Sequence, residues 1–157
     1  MAHFFYKILI GFVFFLVLIA CNTAKQAVLL PQKQQGIEGQ IFEKIGNNMP
    51  QIGKPISKGK PYFTTVYFYQ PFYANVIEQN PTNLLSKCNG ILVDSVATNS
   101  DGFYKKHLPP GYYSVVVGYE GQFYAGFLGP SNEVGLVKVE KGVFQKNDIT
   151  IHVKASY

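Results

Sequence analysis

Beyond Gly36, short stretches of the chain alternate between apolar and polar positions, and no segment sustains a helical period. A period of two is typical of β-strands, whose successive side chains point to opposite faces of a sheet. Runs rich in Val, Ile, Tyr and Phe are bounded by clusters of Gly, Pro, Asn and Asp, which form turns. The pattern predicts an all-β fold over residues 36–157, a single antiparallel β-sandwich of seven to eight strands.

The run YFTTVYFYQPFY, residues 62–73, is rich in the β-branched and aromatic residues that favour strands. One set of alternating positions must face the core of a sandwich. Val66 and Phe68 are the more apolar residues, so the set to which they belong is predicted to point inward. That inward set is Tyr62, Thr64, Val66, Phe68 and Phe72.

The opposite set places Tyr67, Tyr69 and Tyr73 on the outer face, where they are the candidate ligand-binding residues. An exposed stripe of aromatic rings can stack on sugars or peptides, or form a protein interface. The alternative is that the long loops over residues 46–61 and 71–90 fold over these tyrosines and form a second small core. The exposure of the three rings separates the two hypotheses.

The N-terminal pattern is different, because no charged residue interrupts the chain from Ile8 to Ala20. A helix that spans a bilayer needs about 17–25 residues, which is more than this run provides. A secretory leader combines a basic residue, an apolar core of about 7–15 residues and a small residue at the cleavage point. Lys7 and Ala20 supply the basic and the small residue, so residues 1–20 are predicted to be a cleaved hydrophobic signal helix. An uncleaved membrane anchor is the alternative.

The stretch LIAC, residues 18–21, resembles the lipobox of bacterial lipoproteins. The resemblance implies cleavage before Cys21, acylation of its thiol by a fatty acid such as palmitate, and anchoring of the mature protein to a membrane. Residues 21–35, which are mostly polar and rich in Gln, are then a lipidated tether. Asn22 is not the Asp of the inner-membrane retention signal of some lipoproteins, so the outer membrane is favoured, on its periplasmic or surface face.

Charge and cysteine content agree with a location outside the cytoplasm. The formal net charge is +5, from 14 Lys+Arg and 9 Asp+Glu, and every one of these basic residues is lysine. Proteins that read nucleic acids use Arg for bidentate contacts, so no nucleic-acid partner is expected. If Cys21 carries lipid, Cys88 has no second cysteine to pair with, and it is interpreted as a small buried residue.

The segment TNSDGFYKKHLPPGYYSVVV, residues 98–117, resembles the carboxypeptidase regulatory-like domain, a transthyretin-like β-sandwich. Asp101 and Gly102 are expected to form a tight turn, because Gly accepts positive φ. Pro-Pro-Gly at residues 109–111 is expected to form another turn, since Pro fixes φ. The alternating positions that should face the core are Tyr113, Val115 and Val117.

The same resemblance extends to both ends of the domain. Residues 36–42 resemble the opening strand of the family, and residues 137–153 resemble its closing hairpin, with Lys141 and Gly142 as the turn. Ile149, Ile151 and Val153 then alternate inward. The resemblance implies a small lipid-anchored envelope protein of a kind that mostly has no assigned activity, because function belongs to sites rather than folds.

Groups that could perform catalysis or bind a metal are few. A zinc site needs three or four converging His, Cys or acidic ligands, and the mature chain offers only His107 and His152 as histidines. Both are expected to point to solvent. The sequence contains no Gly-x-Ser-x-Gly nucleophile elbow. The chain is therefore not expected to be an enzyme, and no catalytic residue, metal site or cofactor is assigned.

Two further hypotheses are tested by geometry. The turn at residues 99–102, with Asp94 nearby, offers oxygen ligands for calcium, and an ordinary turn is the alternative. Lys44 and Asn147 fall in the opening and closing strands, where a Lys–Asn isopeptide bond would require them to lie side by side.

Two classes of function follow from the sequence. The first is a lipid-anchored protein of the bacterial cell envelope whose non-catalytic sandwich is a structural or protein-interaction module. The second is an accessory lipoprotein that binds a glycan or peptide through Tyr67, Tyr69 and Tyr73. The expected partners are a membrane, through the lipid, and an envelope protein or glycan.

Overall fold

The computed structural model describes residues 34–49, 52–53, 55, 57–74 and 82–156. The predicted signal peptide and Cys21 lie outside the described residues, as does most of the predicted tether. Within the described part of the chain, no helix has the length and hydropathy that crossing a membrane requires.

The described residues form eleven β-strands in two sheets. In chain order the strands are β1 Gly36–Asn47, β2 Lys60–Pro61, β3 Thr65–Tyr69, β4 Leu84–Leu85, β5 Leu92–Ala97, β6 Phe103–His107, β7 Gly111–Tyr119, β8 Gln122–Ala125, β9 Leu136–Val139, β10 Phe144–Lys146 and β11 Ile149–Ser156. The all-β sandwich that the alternation predicts is confirmed.

The first sheet is built around β1, the longest strand. The first half of β1 pairs with β6 on one side and β10 on the other. Its second half pairs with β2 and β11 in the same way. The apolar residues Ile37 and Ile41 of β1 face the main core and are completely buried.

The second sheet has the strand order β4-β8-β7-β3-β5, and β9 also pairs with β7. All of these pairings are antiparallel. The strand β7 is central, with β3 on one side and with β8 and β9 on the other. Its valine-rich sequence fits this position, because β-branched residues pack well on a sheet that is covered on both faces.

The main core lies between the two sheets and contains most of the side chains predicted to face it. Val66 and Phe68 from β3 lie there with no exposed surface. Burial of each such side chain contributes about 1.5–3 kcal/mol. The other predicted inward residues in this core are Tyr113, Val115, Val117, Ile149 and Ile151, with Val153 packed against it. Thr64 was predicted to point inward but lies against Gly118 of β7 instead.

Two connections differ from the hairpins that the sequence suggests. The turn at Lys141 and Gly142 leads from β9, in the second sheet, to β10, in the first sheet, so the predicted closing hairpin is wrong. The turn at residues 99–102 likewise crosses from β5 to β6. A strand that crosses from the opposite sheet is not joined to its partner by a hairpin, so it can pair in either direction. Here β6 pairs antiparallel with β1, whereas β10 and the following strand β11 run parallel to it.

A second apolar cluster covers part of the outer face of the second sheet. Val116, Ala125 and Leu85 contribute from the sheet, while Phe72 and Val134 contribute from the segments that lie over it. Phe72 was predicted to face the main core, but the chain bends after β3 and brings its ring to the outer face instead. The outer face is therefore divided into a covered part and an open part.

Candidate functional site

The open part of the outer face forms a groove beside the turn between β7 and β8, which we name the aromatic groove. The groove has a volume of about 350 Å³. This lies within the range of about 300–1,000 Å³ that is common for small-molecule sites. Its lining residues are Tyr62, Thr64, Tyr67 and the hairpin residues 118–123.

Gly118 forms the floor of the aromatic groove, because it lacks a side chain on the outer face of β7. A Cβ at this position would lie 3.3 Å from Oγ1 of Thr64 and 3.6 Å from the ring of Tyr67. Thr64 Oγ1 donates a hydrogen bond of 2.6 Å to the Gly118 carbonyl. A glycine within a strand often marks a point where another molecule approaches the backbone closely.

One wall of the groove is formed by Tyr67 and Phe123, on neighbouring positions of β3 and β8 across β7. Their ring centroids lie 5.4 Å apart and the rings meet edge to face, an arrangement that aromatic quadrupoles favour. Both side chains are half-buried because they pack against the second apolar cluster. The cluster therefore supports the wall from one side and leaves the other side open to the groove.

Tyr62 lies on the opposite side of the groove, where its half-buried ring packs on Tyr119 of the main core with the ring centroids 5.5 Å apart. The hydroxyl of Tyr119 donates a hydrogen bond of 2.7 Å to a carboxylate oxygen of Glu43. Burial, together with this hydrogen bond, raises the pKa of Tyr119 to about 12. Burial and the charges of Glu43 and Glu120 also raise the pKa of Tyr62. Both phenols are therefore neutral at physiological pH.

The rim of the groove is the two-residue turn Glu120-Gly121. Both residues have positive φ, 48° and 79°, as a type I′ hairpin turn requires. Glycine accepts this conformation without strain, whereas glutamate does so at a cost of about 1–2 kcal/mol. The Glu120 carboxylate forms an ion pair with Lys154 of β11. Non-glycine residues held in this region of backbone space are concentrated at functional sites.

The three candidate tyrosines are not brought together as one exposed stripe. Tyr67 lines the aromatic groove and is half-buried. Tyr69 is only 8% exposed, because Phe72 and its neighbours in the second cluster cover it. Tyr73 is 60% exposed and lies apart from the groove, in a single bridge with Glu133. The expected exposure is therefore wrong for Tyr69, where the covering alternative applies.

Cys88 lies at the edge of the second cluster, half-buried rather than fully buried. Burial, followed by the electrostatic influence of Cys88 and a hydrogen bond with it, raises the pKa of Tyr69 to about 12. The thiol thus belongs to the covered part of the outer face.

The two histidines lie on the surface, as expected, and are on different strands. His107 ends β6, and its ring stacks edge to face on Phe144 with centroids 5.0 Å apart. Burial and the charge of Lys44 lower the pKa of His152. Among the described residues, no group of three or more His, Cys, Asp or Glu side chains is placed to hold a metal ion.

At the turn of residues 99–102, a side-chain oxygen accepts hydrogen bonds from the backbone of the turn itself. Oδ1 of Asn99 accepts backbone N–H bonds from Asp101 at 3.0 Å and from Phe103 at 2.9 Å. Asp94 instead pairs with Lys106 at 2.6 Å. These contacts support the ordinary turn over the calcium hypothesis.

Lys44 and Asn147 are held at different heights along the first sheet. The backbone N–H of Asn147 donates to the Glu38 carbonyl at 2.8 Å. Lys44 lies six residues beyond Glu38 on β1, which corresponds to a distance of about 20 Å along the strand. A lysine side chain cannot cross this distance, so the isopeptide hypothesis is wrong.

A smaller cleft lies between β11 and the segment that precedes β9. Asn147, Asp148, Thr150 and His152 line it, together with Phe127. Its volume is about 150 Å³, below the usual range for a ligand site. Asp148 is also occupied, because its Oδ1 accepts the backbone N–H of Gln40 at 3.0 Å.

The edge of the second sheet carries a different surface feature. Three consecutive apolar residues where β5 begins, Ile91, Leu92 and Val93, are 66%, 51% and 43% exposed. We name them the apolar edge. Ser95, further along β5, has its backbone N–H bonded to Asp94 and its carbonyl bonded to Lys106. These charged side chains cover the strand at that point, as in many protected sheet edges.

The sequence reasoning missed Gly118, Glu120 and Phe123 as parts of one site. The stretch YEGQ, residues 119–122, carries a signal for this arrangement. Two residues, the second of them Gly, lie between two alternating runs, which is typical of a tight β-hairpin. The position of Tyr62 beside this hairpin has no comparable local signal, because the two segments are far apart in the chain.

Comparison of the chain with protein-family models, with curated proteins and with solved structures finds no match in any of the three. The resemblance to the carboxypeptidase regulatory-like domain, which is strongest over residues 98–117 and extends to residues 36–42 and 137–153, therefore stays a prediction from the sequence.

Proposed function

We propose that the protein is a lipid-anchored protein of the bacterial cell envelope, on the outer membrane, with a non-catalytic sandwich of the carboxypeptidase regulatory-like kind. The sandwich acts as a structural or protein-interaction module. The lipobox ending at Cys21 and the polar tether that follows it support the anchoring. The described lining of the aromatic groove contributes one carboxylate, from Glu120, and the raised pKa values of Tyr62 and Tyr119 keep both phenols protonated, which favours binding over catalysis.

The observation that carries the interaction role is the apolar edge. Three adjacent exposed apolar side chains form a surface that favours contact with another molecule, which supports the interaction role. Asp94 and Lys106 cover the strand edge two residues further on. The partner is therefore expected to bury the side chains of Ile91, Leu92 and Val93 rather than to extend the sheet.

Intact-mass measurement of the membrane-extracted full chain tests the anchor. The expected mass lacks residues 1–20 and includes added acyl chains. Cys21→Ser should remain uncleaved and unacylated, whereas the matched Cys88→Ser variant should be processed as the unaltered chain is. A full-length unmodified mass, or normal cleavage in Cys21→Ser, would contradict the proposal.

Site-specific photo-crosslinking in intact cells tests the interaction role. A photoreactive residue at Leu92 should give a discrete adduct with an envelope protein, and Ile91→Lys in the same chain should abolish that adduct. The control position is Tyr112, which is 55% exposed and lies on another strand. Equal adducts at both positions, or an adduct that survives Ile91→Lys, would contradict the proposal.

A second candidate function, glycan or peptide binding, is favoured by the aromatic groove. The groove retains Tyr67 from the predicted tyrosine face and adds Tyr62 and Phe123 to it.

A further inference from the structure

We propose that the aromatic groove is a binding site for a neutral carbohydrate, with a sugar ring against Tyr67 and Phe123 and its hydroxyls bonded to Glu120 and Gln122. This inference deepens the second candidate function by naming the ligand class. It does not depend on the lipid anchor or on the apolar edge.

The aromatic side chains match the apolar face of a sugar. Tyr62, Tyr67 and Phe123 surround a floor made by Gly118, so a flat ring can approach the backbone of β7. The walls are held in place before any ligand binds, because Tyr67 and Phe123 pack on the second cluster and Tyr62 packs on the main core. Binding to supported rings costs little side-chain entropy.

The polar side chains at the rim match hydroxyl groups rather than an anion. Glu120 provides two acceptor oxygens, and Gln122 provides both an acceptor and donors. The described lining of the groove contains this one carboxylate and no lysine. Lys154 lies beyond the rim, where it pairs with Glu120. Lys154 is already paired with Glu120, and the described lining holds no further cation to bind an anionic ligand, so a neutral ligand is favoured.

The backbone around the groove argues against an extended peptide. Peptides that bind to sheets usually add a strand to an open edge. Here β8 is paired with β7 on one side and with β4 on the other, and the Gly118 carbonyl already accepts the Thr64 hydroxyl. The groove thus presents rings and side-chain polar groups, and the strands of its floor are already paired.

The strained turn places the polar rim. Glu120 occupies a left-handed position at which Asn, Asp or Gly is usual, so a residue of lower cost was available there. The proposed role in binding hydroxyls gives a reason for a glutamate at this position.

The test is an array of neutral oligosaccharides built from hexoses and N-acetylhexosamines, printed beside uronic acid, sialylated and sulfated counterparts and a set of peptides. The full chain is applied in detergent, and titration calorimetry then measures the neutral oligosaccharide that binds best. Binding to neutral saccharides is expected. An array without bound neutral saccharide, or one on which only acidic glycans or peptides bind, overturns the inference.

Variants then locate the binding. Tyr67→Ala should weaken the affinity at least ten-fold, by removing one wall. Because that variant also loses packing, Gly118→Val is the second variant: it fills the floor, suits a strand, and should weaken the affinity to the same extent. Tyr112→Ala, at an exposed tyrosine elsewhere on β7, is the matched control and should leave the affinity unchanged.

Thermal unfolding of each variant is followed by circular dichroism, so that loss of binding is read only from folded protein. Affinity that is unchanged in folded Gly118→Val overturns the inference. Failure of this test leaves the anchoring and the apolar edge untouched, because those are measured by mass and by crosslinking at other residues.

Discussion

The outer face of the second sheet has two halves that are both rich in apolar and aromatic residues, but only one of them is covered by other segments of the chain. In the covered half, Tyr69, Leu85 and Val116 of the sheet lie beneath Phe72 and Val134. In the open half, Tyr67 and Phe123 stand over Gly118 and face a groove. Tyr67 and Tyr69 are two residues apart on one strand and point to the same side of the sheet.

The difference between the halves is decided by the segments that cross the sheet. The chain after β3 and the chain between β8 and β9 both fold back over Val116, where they bury their own apolar side chains. Neither covers Gly118 at the other end of the strand. The same alternating pattern therefore produces a core where a loop returns and a candidate binding site where none does.

The largest expected effect is in the covered half. Phe72→Ala should lower the free energy of unfolding by about 3–5 kcal/mol, because it removes a buried aromatic side chain. Phe63→Ala is the matched control, since Phe63 is 69% exposed against 8% for Phe72, and should change stability little. Urea unfolding followed by circular dichroism measures both. Equal effects would show that the cover is not packed on the sheet.

A hydrogen bond attaches the cover to the sheet, and its loss should have the next largest effect. The Phe72 backbone N–H donates to Oγ of the fully buried Ser114 at 3.2 Å. Ser114→Ala leaves this N–H without its acceptor and should cost about 1–3 kcal/mol in the same urea experiment. Ser95→Ala, on the exposed strand β5, is the control. A neutral Ser114→Ala would mean that the cover is held by side-chain packing alone.

In the open half, one substitution should stabilise the protein. Glu120→Asn relieves the left-handed strain of the turn and should raise the free energy of unfolding by about 1 kcal/mol, since the exposed ion pair with Lys154 that it removes contributes little. Glu120→Gln keeps the strain and should bring no such gain. If both variants are equally stable, the turn does not store strain.

The smallest expected effect concerns Tyr69 in the covered half and is measurable only in alkaline solution. Tyr69 keeps its proton to a pKa of about 12, whereas a tyrosine in the unfolded chain loses its proton near 10. The folded state then binds more protons in this window, so the stability linked to Tyr69 is complete below pH 10 and is lost as pH rises to about 12.

Urea unfolding at several pH values measures this loss. Tyr69→Phe should lose less stability than the unaltered chain between pH 10 and 12. Part of the loss should remain, because Tyr119 also has a pKa of about 12. An unchanged profile in Tyr69→Phe would mean that the covered half does not shield this hydroxyl.

Local pattern was sufficient to assign the two sides of most strands. Val66 and Phe68, Val115 and Val117, and Ile149 and Ile151 all face the main core as predicted. Each prediction needed only the two-residue period of a strand and the preference of apolar side chains for the interior. The same rule placed Tyr67 and Tyr69 on the outer face of the sheet, opposite to Val66 and Phe68.

Connections between strands were less accessible to this reasoning. Lys141 and Gly142 form a turn, yet a turn does not reveal whether the next strand pairs with its predecessor or crosses to the other sheet. Here β9 pairs with β7 while β10 pairs with β1. Whether a strand pairs with β1 or with β7 depends on which of the two has an unpaired edge nearby. Neither β1 nor β7 is close in sequence to this turn.

The sequence by itself determined the strand class, the two faces of each strand, the composition of the core and a predicted lipid attachment at Cys21, because each depends on neighbouring residues. Only the tertiary structure decided that Tyr69 is covered while Tyr67 is open, and that Tyr62, Gly118 and Glu120 meet in one groove. Those outcomes depend on where loops from distant parts of the chain pack on the sheet. The free energy of this packing comes from long-range contacts, which a local alternation of apolar and polar residues does not encode.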